Sequence, residues 1–113
     1  MKVMKNIEKI TPIKIGEVVK GKSGAITSKA ICATDNTDIR FFAYSKGESI
    51  SKESQEEDSM IYLLEGEINV LYDEDDQKKE MTLKGGEFIV LPSNLNYGMH
   101  ATEDSKSLNI LVK

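Results

Sequence analysis

The residue types best suited to catalysis and metal binding are scarce in this chain. Its 113 residues include one histidine, His100, and one cysteine, Cys32. Zinc fingers, three-histidine metal sites and Cys-x-x-Cys redox centres each need more of these residues, so they are excluded. A cysteine–histidine nucleophile pair could use only these two side chains. A lone cysteine also rules out a disulfide within the chain, and we expect a cytoplasmic protein.

Any functional site in this chain must be positioned by short segments of alternating apolar and polar residues, which turn residues separate. Apolar and polar residues alternate with a period of two, which predicts β-strands. The predicted strands cover residues 25–33, 39–44, 60–64, 67–72, 79–83, 88–91, 97–101 and 107–112. The acidic run at residues 73–76 is expected to be a hairpin tip. About eight short strands at this spacing are typical of an all-β sandwich or barrel.

The first 22 residues follow a different pattern. Val3, Ile7 and Ile10 have helical spacing and precede Pro12, so this segment could form a short helix or an irregular arm. No apolar run approaches the roughly 20 residues that span a bilayer, and we see no signal peptide. We therefore expect an N-terminal arm or first strand over residues 1–22, one barrel domain over residues 23–113, and no contact with a membrane.

The net charge of −4 is unevenly distributed. Residues 47–76 contain eleven acidic residues and one basic residue, whereas residues 1–30 contain seven lysines and two glutamates. Solvated faces of opposite charge would explain this, and a complementary contact between two copies of the chain is the alternative. We expect no nucleic-acid partner, because an acidic domain repels phosphate.

Two stretches of the sequence resemble the motifs of the cupin superfamily. The first cupin motif is G-x5-H-x-H-x3,4-E-x6-G. The stretch from Gly47 to Gly66 has the spacing of this motif and both of its glycines. The second motif, G-x5-P-x-G-x2-H-x3-N, is matched by Gly86 and Pro92, with Asn94 at the position of its second glycine. The resemblance covers about residues 20–113. It implies a small single-domain cupin of the RmlC-like, cupin 2 barrel type, with a double-stranded β-helix (jelly-roll) of six to eight strands and a ligand cavity at one mouth.

The same alignment shows no histidine at the metal-ligand positions of the family. In this sequence those four positions are Glu53, Gln55, Ser59 and Tyr97. A carboxylate and an amide could hold a hard cation weakly, but they do not form the mostly imidazole site of redox cupins. We therefore predict a degenerate site with no metal and no cofactor. The same four residues are the predicted ligand-binding pocket.

Three functions stay open at this point. The main hypothesis is a small-molecule-binding or accessory module. The alternative is an enzyme, either a metal-independent isomerase or epimerase with Glu53 and Tyr97 as candidate catalytic residues, or a weakly metal-dependent one. The third is a purely structural dimerisation unit. The resemblance also implies a homodimer, which would cover exposed edge strands.

The two scarce residues are expected to lie outside the pocket. His100 follows Tyr97 by three positions, and an odd separation on a regular strand places the two side chains on opposite faces. A bulge would reverse this. Cys32 is expected to pack in the core, since free cysteine is among the most buried residue types.

Overall fold

The computed structural model describes residues 3–113, and nine β-strands dominate it. The strands are β1 (Ile26–Ala33), β2 (Thr37–Tyr44), β3 (Ser49–Ser54), β4 (Asp58–Glu65), β5 (Glu67–Glu74), β6 (Gln77–Lys84), β7 (Phe88–Leu91), β8 (Asn96–Ala101) and β9 (Ser105–Val112). A 3₁₀ turn at Ile15–Glu17 precedes them. The all-β prediction is confirmed. Within residues 3–113, no helix is long and apolar enough to cross a membrane.

The strands form two antiparallel sheets that enclose the core. The first sheet has the order β1-β2-β9-β4-β7, and the second has the order β3-β8-β5-β6. Because β9 pairs with both β2 and β4, strands that are distant in sequence become neighbours in the first sheet. This is the topology of a jelly-roll barrel.

Alternation along the strands separates an inner face from an outer one. In β4, Ser59, Ile61 and Leu63 are buried, while Met60 and Tyr62 between them are exposed. Inward side chains from both sheets meet in one cluster. Its buried members are Tyr44, Ile61, Leu63, Ile68, Val70, Leu83, Leu91, Met99 and Ala101.

The residues at two of the turns explain why consecutive strands connect at these points. Gly66, between β4 and β5, has a φ of +95°, and a Cβ there would collide with Ser105 and with the carbonyl of Asp104. Only glycine fits such a position. At the tip between β5 and β6, Asp75 and Asp76 both have positive φ, as a two-residue hairpin turn requires. The predicted acidic hairpin tip is confirmed.

The N-terminal segment is an irregular arm, so the helical alternative for it is wrong. Its backbone lies beside β1, where the amide of Lys5 donates to the Ile31 carbonyl at 2.8 Å, and Met4 bridges to Cys32. Val18 and Val19 of the arm pack against Phe41 on the outer face of the first sheet. Burial against the sheet stabilises the arm without a helix. Residues 1 and 2 of the predicted arm lie outside the described part.

β3 is the strand that the alternation pattern missed. Its sequence, SISKES, contains a single apolar residue, Ile50, and a bulge between Ile50 and Glu53 interrupts its pairing with β8. A short polar edge strand with a bulge carries almost no period-two signal.

One part of the outer surface is apolar and exposed. On β4 and β7, Tyr62 pairs with Phe88 and Met60 pairs with Val90, and all four side chains are exposed, Phe88 to 62%. Exposed apolar side chains in a row are typical of an interaction surface. The homodimer stays a prediction.

Candidate functional site

A cavity of about 270 Å³ opens at one end of the barrel, between the inner faces of the two sheets. We call this end the mouth and the opposite end, around Leu63 and Ile68, the closed end. The cavity is lined by residues of β2, β3, β8 and β9 and by one residue just after β3: Asp38, Arg40, Phe42, Ile50, Ser51, Glu53, Gln55, Tyr97, Gly98, Met99, Asn109 and Leu111.

The walls change from apolar to polar along each strand. On β2, the inward residues run from Tyr44 at the closed end through Phe42 to Arg40 and Asp38 at the mouth. The alternation that builds the core thus continues into the cavity and changes only in residue type. Phe42 forms an aromatic floor of the cavity and stacks on the buried Tyr44 beneath it, with ring centroids 5.9 Å apart.

The bulge in β3 brings its polar residues to the mouth. Ile50 and Glu53 are three positions apart, yet both line the cavity because the bulge changes the alternation between them. Gly98 on β8 permits this, since a Cβ there would lie 2.9 Å from the amide nitrogen of Lys52. Glu53 then faces Tyr97 in the register of the two strands, and Gln55 follows at the rim.

Three of the four predicted pocket residues therefore share the cavity wall, and the fourth lies behind it. Ser59 is buried, with 2% of its surface exposed, and its Oγ accepts a hydrogen bond from the Tyr97 hydroxyl at 3.1 Å. This bond ties β8 of one sheet to β4 of the other. Glu53 is exposed at the rim, whereas Gln55 and Tyr97 are half-buried.

The resemblance implies a metal at these four positions, but the donors do not fit one. They offer one exposed carboxylate, one amide, one phenol and a buried hydroxyl that already accepts a hydrogen bond. Within residues 3–113, no three histidine, cysteine or acidic residues are arranged so that they could hold a metal ion. Such a set lacks the imidazoles that transition metals prefer and the several carboxylates that Ca²⁺ needs.

Arg40 is the most distinctive residue of the cavity, and sequence reasoning missed it. It is the only arginine in the chain, and it lies in a cavity wall with its side chain 41% exposed. Its Nε donates to Asp38 Oδ1 at 2.8 Å and its Nη2 to Asp38 Oδ2 at 3.3 Å. This bond raises the pKa of the guanidinium above its already high value. The sequence did contain one indication of its position. Arg40 is separated by two and four positions from Phe42 and Tyr44 on a predicted strand, so the three side chains point to the same face.

A chain of hydrogen bonds links the floor to the wall. The Ser107 hydroxyl donates to Asn109 Oδ1 at 2.7 Å, and therefore accepts from the Tyr44 hydroxyl at 2.9 Å. Burial raises the pKa of Tyr44 to about 12, although the Ser107 hydroxyl and the Asn109 amide, which can donate to a phenolate, oppose this shift. Asn109 in turn lines the cavity, so the chain orients a polar group at its surface.

The two scarce residues lie outside the cavity. Tyr97 and Met99 line it, whereas His100, on the other face of β8, contacts Ser49, whose Oγ is 2.6 Å from the ring Nδ1. Cys32 is buried beneath the arm with 5% of its surface exposed, as predicted.

Known proteins of this fold were found by structure rather than by sequence. No protein-family model and no curated protein matches the chain. A conserved protein of unknown function from Streptococcus pyogenes is similar over 100% of this chain and 96% of its own, with a TM-score of 0.93 and 23% identity.

Two further similar structures are those of cupin proteins. A cupin superfamily protein from Desulfitobacterium hafniense has a TM-score of 0.85 and 24% identity over 96% of both chains. A cupin 2 conserved barrel domain protein from Leptotrichia buccalis has a TM-score of 0.85 and 26% identity over 97% of this chain and 51% of its own. The resemblance in the sequence is confirmed at the level of the fold: the chain has the fold of these cupin structures.

Proposed function

We propose that this protein is a small-molecule-binding module whose ligand enters the mouth of the barrel. The observation that carries the proposal is the cavity itself, which has an apolar floor and a polar rim. Ile50, Phe42 and Met99 supply apolar surface, while Arg40 and Gln55 supply polar groups near the opening. Ligand sites combine these two elements, since apolar burial provides affinity and a few polar groups fix orientation.

The size of the cavity limits the ligand. About 270 Å³ lies just below the range of roughly 300–1,000 Å³ that is usual for pockets of drug-sized ligands. We therefore propose a ligand smaller than these, with a short apolar body. The donor set at the four family positions supports a site that works without a transition metal.

The enzyme hypothesis has less support. A general base must lie near the proton that it removes, in surroundings that tune its basicity. Glu53 is exposed at the rim, and the Tyr97 hydroxyl already donates its proton to Ser59. Nothing in this arrangement directs the two groups at a common reacting atom.

The binding proposal can be tested with a neutral probe. We expect 4-methylpentan-1-ol, added at millimolar concentration, to shift the backbone amide NMR signals of residues that line the cavity, such as Phe42 and Met99. A Leu111→Trp variant, which would fill the opening, is expected to lose these shifts while the rest of its spectrum shows a folded protein. Shifts confined to the outer apolar row, or none at all, would overturn the proposal.

A further inference from the structure

Two hydrogen-bond donors lie side by side on one wall of the cavity. Arg40 on β2 and Asn109 on β9 are directly opposite in the antiparallel register, and both side chains line the cavity. Directly opposite residues of an antiparallel pair have Cβ atoms about 5 Å apart. The two side chains therefore leave the first sheet next to each other on the same wall of the cavity.

Asp38 orients the guanidinium and leaves one of its edges free. The carboxylate occupies Nε and one hydrogen of Nη2. Arginine has five N–H donors, so the edge formed by Nη1 and Nη2 keeps a matched pair of them. No second side chain within residues 3–113 forms an ion pair with Arg40. That edge has the fork geometry that binds a carboxylate through two parallel hydrogen bonds.

Asn109 is oriented in a similar way by the floor of the cavity. Its Oδ1 accepts from Ser107, which is held in turn by the buried Tyr44. The amide nitrogen is purely a donor and carries two hydrogens, so one of them can act toward a ligand while the other faces the Tyr44 hydroxyl. Both residues therefore offer donors to the cavity, and in both a neighbouring side chain determines which atoms are free.

Stability alone does not account for an arginine in this place. A partly exposed ion pair such as that of Asp38 and Arg40 contributes little, about 0–1 kcal/mol. Glu53, the other charged group of the lining, comes from the opposite sheet and is exposed to water, which weakens its repulsion of an anion at Arg40. Asp38 is already compensated by its bonds to Arg40.

We infer that Arg40 and Asn109 form a carboxylate-binding subsite, so that the ligand of the cavity is a small monocarboxylic acid with an apolar body. This inference rests on the proposed binding function and names its ligand class. The carboxylate contacts the free edge of Arg40 and the amide nitrogen of Asn109. The apolar body then extends over Phe42 and Met99 towards the closed end. Asp38 acts as a positioning residue, since it contacts Arg40 and not the ligand.

The test uses three probes that share one isobutyl group. Calorimetric titration compares 4-methylpentanoate, 4-methylpentan-1-ol and 3-methylbutylamine. We expect the acid to bind roughly tenfold or more tightly than the alcohol, the size of effect that hydrogen bonds to a charged group supply, and the amine to bind no better than the alcohol. Equal affinities for the acid and the alcohol, or a preference for the amine, would contradict the subsite.

Variants of Arg40 and Asn109 test whether these two residues cause the preference for the acid over the alcohol. Arg40→Gln is expected to reduce the preference for the acid to within about twofold, and Arg40→Lys to retain only part of it, since lysine keeps the charge but not the fork. Asn109→Asp keeps an acceptor for Ser107 but replaces the donor by a like charge, so it should also remove the preference. Circular dichroism checks that each variant is folded.

The outcomes separate the inference from the function on which it rests. If the alcohol and the acid bind equally and Arg40→Gln changes neither, the cavity binds ligands but the carboxylate subsite is wrong. If the acid preference survives in both Arg40→Gln and Asn109→Asp, the subsite lies elsewhere and the inference is again wrong. If none of the three probes binds, the proposed function and the inference fail together.

Discussion

The closed end and the mouth of this barrel belong to the same two sheets but have different contents. At the closed end, Leu63, Ile68 and Val70 are completely buried and fill the space between the sheets. At the mouth, the inward positions of the same architecture hold charged and amide side chains around a cavity. The backbone and its alternation are continuous from one end to the other.

This contrast shows that one end of the fold provides most of the stability while the other end can form a site. Apolar burial is the main favourable term in folding, and it is concentrated at the closed end and beneath the arm. The mouth contributes less to that term, so its residue types can vary while the fold remains. The second-motif position of Asn94 illustrates this tolerance: it is a glycine in the family pattern, and here asparagine adopts the left-handed conformation with a φ of +65°.

The largest expected effect comes from truncating one side chain at each end. Ile68→Ala removes a side chain with no exposed surface, and we expect a loss of about 2–5 kcal/mol in the free energy of unfolding. Leu111→Ala removes a half-buried side chain that borders the cavity, where water can already reach, so we expect less than half that loss. Urea denaturation of both variants measures the difference. Equal losses of unfolding free energy would show that the closed end does not contribute more to stability than the mouth.

An alkaline titration sharpens the same comparison at the floor of the cavity. Tyr44 has a pKa of about 12 in the folded protein, against an ordinary value of 10.0. Between these two values the unfolded chain loses the phenolic proton while the folded protein keeps it. Deprotonation therefore favours unfolding, and the stability present below pH 10 is lost as the pH rises towards 12, by roughly 2–3 kcal/mol.

The measurement is the unfolding free energy as a function of pH, compared with a Tyr44→Phe protein. That variant lacks the titrating group, so its alkaline loss should be smaller by the amount that Tyr44 contributes. A Tyr62→Phe protein serves as the matched control, because it removes an exposed tyrosine hydroxyl on the outer face and leaves the surroundings of Tyr44 unchanged. Identical pH profiles for the parent and Tyr44→Phe would refute the assignment.

Most of the fold could be predicted from the sequence, because regular strands carry a local signal. Strands β1, β2 and β4 to β9 carry an alternating or a short apolar pattern, and turns such as the acidic hairpin separate them. β3 could not be predicted in this way, since its polar sequence and its bulge erase the pattern. The arm also carried an ambiguous signal, and packing against the first sheet decided its conformation.

The only residues of the candidate site that could be predicted were those at positions of the cupin motifs. That spacing identified Glu53, Gln55 and Tyr97, which the structure places in one cavity wall. Arg40 and Asn109 are 69 positions apart in sequence and meet only through the register of β2 and β9. No local pattern contains that register, because it depends on how the chain crosses between the sheets. The polar half of the cavity therefore became visible only in three dimensions.

The smallest expected effect concerns the hydrogen bond that joins the two sheets at the mouth. Tyr97→Phe removes the donor and leaves the Ser59 hydroxyl buried without its partner, which should cost about 1–2 kcal/mol. Ser59→Ala should cost less, because the Tyr97 hydroxyl stays half-buried beside the cavity and can turn to water.

The double variant decides whether the bond or the burial of an unsatisfied group accounts for the loss. Because removing both polar partners can be nearly neutral, Tyr97→Phe combined with Ser59→Ala should be more stable than Tyr97→Phe alone. Denaturation of the parent, the two single variants and the double variant completes the cycle. Strictly additive losses would mean that Tyr97 and Ser59 are energetically independent. The mouth would then rely on the register of β3 and β8 alone to hold Tyr97 in the cavity wall.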